Sequence, residues 1–375
     1  QATTLGNNLI EIGADGTLTI DAVLRTNGTT QRNRFGDNST LVGENWTLAV
    51  TSGEDAAGID QTNDNGDNTS EVGANGTLSV TTVGLATGIR QTNSDGENSL
   101  LIRANNTMTA TAELDATGIE QLNGTGDNTL QIEANGDLTV TAAEDAIGIN
   151  QDSNTGASAI QLGRNGSLNV SGTIFVTGIR QFTLGSGSRT LTIGQGARIN
   201  VSSLLGEITG ISQTSSNGTA SATVGSDSII NIFGGSTARG IFQSSAQNEF
   251  TLGENSLVKV VSDTGLGVGL QQFTSTGSNT ATVGANSRID VVAGANAFGI
   301  SSSALSGVPS FLTLARGVEV NASGDRAFGV NIAAQNFTLQ NRGRIIATST
   351  NATQESFGVR MFGDDNTFVN HGTVF

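Results

Sequence analysis

A Gly-Ile-x-Gln tetrad recurs at a fixed interval through the first half of this 375-residue chain. It reads Gly58-Ile59-Asp60-Gln61, then Gly88-Ile89-Arg90-Gln91, Gly118-Ile119-Glu120-Gln121, Gly148-Ile149-Asn150-Gln151 and Gly178-Ile179-Arg180-Gln181. The glycines at 28, 58, 88, 118, 148 and 178 keep that spacing without exception, and those at 210, 240, 269, 299, 329 and 358 drift from it only slightly. Self-similarity at a fixed period marks a repeat architecture, in which each unit covers the apolar face of its neighbour. A length that would otherwise suggest two or three globular domains therefore reads as one continuous domain over residues 1–375.

Each repeat contains three short runs that alternate apolar and polar residues, bounded by Gly, Asn or Asp, so three strands per repeat are expected. The first is Thr77-Leu78-Ser79-Val80, the second the Gly-Ile-x-Gln tetrad, and the third Asn98-Ser99-Leu100-Leu101-Ile102. With equivalent strands pairing in parallel, each repeat becomes one triangular rung of about 30 residues, and the chain a single-stranded parallel β-helix, or β-solenoid, of about 12 rungs. At ~4.8 Å per rung this is a rod roughly 58 Å long. Columns such as Leu78, Met108, Leu138, Leu168 and Ile59, Ile89, Ile119, Ile149 are expected to face inward. The tetrad glycine is expected to make the corner, as are the glycines of Gly265-Leu266-Gly267-Val268-Gly269.

Period two puts Gln61 on the same face as Ile59. Gln61, Gln91, Gln121 and Gln151 are therefore expected to form a buried amide ladder, each donating to one neighbouring rung and accepting from the other. A second ladder is expected from Asn68, Asn98 and Asn128 before the third strand, with Asn38, Asn248, Asn279, Asn336 and Asn366 in equivalent places. Toward the C-terminus the glutamine column ends at Gln272, and Phe298, Phe328 and Phe357 enter before the anchor glycine as an aromatic stack that takes over from it. Small insertions around Gly185, Leu204 and Pro309 are expected at corners. The run from Asn8 to Ile12 and the final Thr373-Val374-Phe375 read as strands of incomplete rungs without polar caps, so the chain is expected to be a fragment of a longer polypeptide.

Charge divides the chain. Residues 1–151 hold 21 acids and 5 arginines, whereas the Phe-richer part 152–375 holds 12 acids and 12 bases. An acidic first part of this kind disfavours nucleic acid and anionic lipid, whose affinity rests on Lys and Arg beside phosphate. There is no cysteine, which excludes disulfides and thiolate chemistry.

At this point the residues resemble a family. Asn341-Arg342-Gly343-Arg344-Ile345, then Ser356-Phe357-Gly358-Val359, then Asn366-Thr367-Phe368-Val369-Asn370-His371-Gly372-Thr373-Val374 look like the repeats of bacterial autotransporter (type V secretion) passenger domains. That resemblance implies a right-handed β-helix, displayed at the bacterial cell surface or extracellular, with a C-terminal outer-membrane barrel absent from this sequence. It implies a virulence-associated adhesin. The expected function is non-enzymatic: adhesion to a host surface protein or glycan, or self-association in aggregation and biofilm.

Individual residues take their places within that frame. His371 is the only histidine and lies in the last rung, away from any Ser-His-Asp arrangement. The acids Asp37, Asp67, Glu97 and Asp127 stack in a repeated Gly-Asp-Asn turn. They are calcium candidates, though Asp is also a common turn former; no other cofactor is expected. Asp60, Arg90 and Glu120, the third tetrad positions, are expected to face outward as a surface salt ladder and with Thr77, Thr109 and Thr139 make up the candidate interaction face. A polysaccharide-binding or polysaccharide-processing β-helix is the alternative. The flat threonine rows on strand one also resemble ice-binding solenoids, a minor alternative.

Overall fold

The computed structural model describes residues 6–375. All its regular structure is β: 38 strands, and no helix among the described residues. The strands form three parallel sheets, and the hydrogen-bonded neighbours of each strand are the third strand before it and the third after it, one repeat away on either side. The result is a β-solenoid of about 12 turns. Sheet 1 holds strands such as Thr77–Thr82, sheet 2 strands such as Ala86–Asn93, and sheet 3 strands such as Asn98–Ile102.

Two units are distinguished by internal contacts, one ending at Gly187 and the other starting at Ser188. In the first, the register is constant: Leu78 pairs with Met108 and Met108 with Leu138 in sheet 1, and Asn68 with Asn98 and Asn98 with Asn128 in sheet 3. In the second, the register shifts by a residue or two. Arg189 pairs with Ala220, Ala220 with Asn248, and Asn248 with Asn279. The extra residues sit between strands, at 184–188, 204–206 and 305–309, where they leave the ladder intact.

The core follows directly from period-two alternation. Leu78, Leu138 and Leu168, Val80, Val140 and Val170, and Ile59, Ile89, Ile119 and Ile149 are all buried. Each such side chain contributes about 1.5–3 kcal/mol when covered, and here a neighbouring rung supplies much of the cover. Trp46 fills the sheet 3 to sheet 1 corner and donates its indole N–H to the Gly73 carbonyl at 3.1 Å. It lies across Gly76, whose place no larger side chain could share.

The tetrad glycine does not make the corner. Gly118 lies inside the strand Ala116–Asn123, as Gly267 and Gly269 lie inside Leu266–Thr274. Its φ is not positive; the requirement is space. A Cβ on Gly118 would sit 2.6 Å from the Gly148 carbonyl oxygen and 2.8 Å from Leu138 Cδ1. The repeat of this glycine therefore records the close approach of successive rungs over a sheet 1 leucine.

The sharp corner lies between sheets 3 and 1. Asn45, Asn75, Asn105, Asn135 and Asn165 all adopt the left-handed conformation there, with φ between 53° and 59°. Asparagine tolerates that region better than other non-glycine residues.

Candidate functional site

Two buried amide ladders run from rung to rung inside the solenoid. Gln61, Gln91, Gln121 and Gln151 each donate Nε2–H to the Oε1 of the glutamine one rung earlier, at 2.8, 2.8, 2.8 and 2.7 Å. The same nitrogens donate to sheet 3 carbonyls of their own rung, Thr69, Ser99, Thr129 and Ala159. Asn38, Asn68 and Asn98 donate in the opposite direction, to the asparagine one rung later at 2.9, 3.0 and 2.9 Å. Opposed donor directions leave the two amide columns with largely cancelling dipoles, a state easier to hold in a low-dielectric interior.

In the second unit the glutamine column continues through Gln243 to Gln213 and Gln272 to Gln243. Asn248 donates to Asn279, which donates to Ser302. Asn336 does not belong to this column. It is exposed with φ 56°, and buried Phe337 takes the column position, because the turn before this strand needs a left-handed residue. Asn366 accepts the Phe337 N–H at 2.9 Å.

A third amide column has no counterpart in the period-two pattern. At the left-handed corner Asn45 donates to Asp15, Asn105 to Asn75 and Asn135 to Asn105, each at 3.0 Å, all exposed. Its signal in the sequence is the series Asp15-Gly16, Asn75-Gly76, Asn135-Gly136 and Asn165-Gly166, dipeptides typical of turns.

The acid column is tied to the backbone. Asp37 Oδ1 accepts the Asp67 N–H at 3.1 Å, Asp67 Oδ1 accepts the Glu97 N–H at 2.9 Å, and Asp127 Oδ1 accepts the Ala157 N–H at 2.7 Å. Each carboxylate thus caps the next rung. Among the described residues, no group of three or more His, Asp or Glu side chains converges to hold a metal.

Asp60, Arg90 and Glu120 lie in register on sheet 2 but do not form an exposed salt ladder. Asp60 is only 1% exposed. It accepts from Arg90 Nε at 2.8 Å and from Asn27 Nδ2 at 3.0 Å, and those two side chains seal it from water. Its hydrogen bond holds the Arg90 proton more tightly than usual. Burial raises the Glu120 carboxyl, against the opposing pull of Arg90 and of the Asn150 amide. One rung on, burial raises Asp152, with Arg180 at 3.8 Å partly compensating.

Asn27, Arg90 and Glu120 edge a groove of about 300 Å³ in the first unit. Its floor is the outer face of sheet 2, where Ala57, Thr87, Thr117 and Ile147 stand beside the buried Ala56, Ala86 and Ala116. Arg90 and Glu120 stand on one side, and the turn residues Asp55, Leu85, Asp115 and Asp145 on the other, with Arg25 at one end. Asp55 Oδ1 accepts the Leu85 N–H, Asp115 Oδ1 the Asp145 N–H, and Asp145 Oδ1 the Phe175 N–H, at 2.9, 3.1 and 3.0 Å. One oxygen of each carboxylate is thereby fixed by the turn. Large apolar side chains interrupt the acids along this corner: Leu85, Leu114 and Phe175 are 46%, 45% and 56% exposed.

The threonines occupy another face. Thr77 is paired with Thr107, and Thr109 with Ser79 and Thr139, on the outer side of sheet 1. Thr77 is exposed and the other two half-buried. They do not meet the groove beside Arg90 and Glu120.

In the second unit Phe298, Phe328 and Phe357 stack with ring centroids 4.8 and 5.9 Å apart. The stack stands on the outer side of sheet 2, across the sheet from the column that the glutamines occupy, so it does not take over their place. Arg360 lies 4.0 Å over the Phe328 ring and donates Nε–H to Asn331 at 2.8 Å. Arg189, at the sheet 3 position of the asparagine column, is fully buried, and burial lowers its guanidinium to about 10.

The sequence matches no protein-family model, and no curated protein or solved structure matches it.

Proposed function

We propose that this chain is the β-helical stalk of a bacterial surface protein of the autotransporter type, acting in adhesion to host surfaces and/or in association with copies of itself. The observation that carries the host-adhesion reading is the groove across successive rungs of sheet 2, where fixed carboxylates and exposed leucine and phenylalanine share one corner. A surface that repeats every ~4.8 Å suits extended ligands. Contacts that are weak singly act together when rungs hold them in register. The rigid interior supports this role: doubly bonded glutamines hold each rung to the next, so the outer side chains keep their spacing without a ligand.

The test is display of the chain on cells that otherwise lack it, followed by measurement of settling and of attachment to host-cell layers. Displaying cells should aggregate or attach more than cells carrying the display vehicle alone. Equal behaviour in both assays would remove the adhesive reading.

A further inference from the structure

The corner between sheets 1 and 2 combines two features that a single ligand class satisfies. Along it, the carboxylates of Asp55, Asp115 and Asp145 each commit one oxygen to a backbone N–H, leaving the groove side strongly acidic. Glu54, Glu113 and Glu144 add exposed charge at the same turns. Of the two groove arginines, Arg90 is already held by buried Asp60. Between the acids stand Leu85, Leu114 and Phe175, each about half exposed. A purely cationic chain would leave these apolar groups in water, and a purely apolar one would desolvate the carboxylates without pairing them.

We propose that this groove and its corner bind an extended, cationic, amphipathic peptide segment, in which basic residues meet the carboxylates and apolar residues cover the leucines and Phe175. The proposal rests on the reading of this face as a binding surface and names its partner class. Charge complementarity favours the peptide over a second copy of this chain, whose equivalent corner carries the same acids and would be repelled. The apolar side chains favour it over a cationic amino-sugar polymer, which has no large apolar groups to cover them. Opposite charge also speeds encounter, and exposed pairs make the affinity salt-sensitive.

The experiment uses the full chain and a fluorescent synthetic peptide of alternating lysine and leucine, with lysine–serine and glutamate–leucine peptides and a linear amino-sugar polymer as competitors. Affinity is read by anisotropy at two salt concentrations. The lysine–leucine peptide should bind, and D115N/E120Q/D145N should weaken it about tenfold, the sum expected of three partly exposed ion pairs. Leu85→Ser with Leu114→Ser should also weaken it. The charge-matched control D67N/E97Q/D127N, at another corner, should stay within about twofold because salt screens distant charges. Melting curves establish that every variant is folded.

An equal loss from the control variant would reduce the effect to diffuse charge and overturn the proposal. So would absence of binding, stronger competition by the amino-sugar polymer than by lysine–leucine peptide, or self-association in sedimentation that the groove variants abolish. Peptide binding with neither aggregation nor attachment of displaying cells would sink the adhesive function while leaving the groove assignment standing. Aggregation without peptide binding would do the reverse.

Discussion

Arg90 Nε donates to Asp60 Oδ1 at 2.8 Å across one rung of sheet 2, and the carboxylate it covers is 1% exposed while the arginine side chain is 25% exposed. The pair is one-sided: the acid has lost water, and the base has not. Arginine suits this position because its guanidinium is always charged and weakly hydrated.

Removing Arg90 should therefore cost more than removing a surface ion pair. Arg90→Gln leaves Asp60 buried with Asn27 as its remaining side-chain partner. The expected destabilisation is about 2 kcal/mol, below the range for fully buried pairs because Arg90 is partly solvated. Asp60→Asn added to Arg90→Gln should recover most of it. Denaturant melts of the two singles and the double form the cycle; additive losses would show that the pair does not act as a unit.

The glutamine ladder predicts a local penalty. Gln121→Leu removes the donor to Gln91 Oε1 and the acceptor for Gln151 Nε2. Loss of about 2–3 kcal/mol follows from leaving buried amide groups unsatisfied. Hydrogen exchange should accelerate in Ala116–Asn123 and the strands paired with it. Unchanged protection there would mean that the ladder adds little.

A cavity of about 20 Å³ lies at the corner where Gly136 and Gly166 follow Asn106, lined by Met108, Leu138 and Leu168. A Cβ on Gly166 would meet nothing closer than 3.4 Å, and its φ is not positive. Gly166→Ala should stabilise the chain by about 0.5 kcal/mol through the unfolded state. Trp46→Ala, which empties the equivalent corner of an earlier rung, should cost about 3–5 kcal/mol. Thermal melts decide both.

Glu120 gives a pH dependence of defined sign. Burial raises its folded-state carboxyl above the ordinary value. A raised acid contributes stability that is fully present below the unfolded pKa and is lost as pH rises through the folded pKa. Glu120→Gln should thus be more stable than the parent at neutral pH, and the gap should close as pH falls through the carboxylate range. A gap that widens on acidification would contradict the assignment, and NMR titration of the Glu120 carboxyl reads the shift itself.

Much of this molecule was determined by sequence alone. Alternation at Leu78 and Val80, and the periodic return of Ile59 and Gln61, require stacked parallel rungs with those residues inside, because no other arrangement buries every copy at once. The amide ladders follow from the same periodicity, since Gln61 must lie on the face of Ile59.

Tertiary structure decided what period two cannot express. Outward positions look alike in sequence, yet Asp60 is sealed and Glu120 half-buried, because solvent access depends on Arg90 and Asn27 reaching across from other rungs. Phe328 was legible as part of a stack but not as an outer one, and Asn336 as a ladder member only until its turn required a left-handed residue. The groove belongs to neither strand pattern nor composition. It exists because turns at Asp55, Leu85, Asp115 and Asp145, each a full repeat apart in sequence, line up beside the outer face of sheet 2 when the rungs stack.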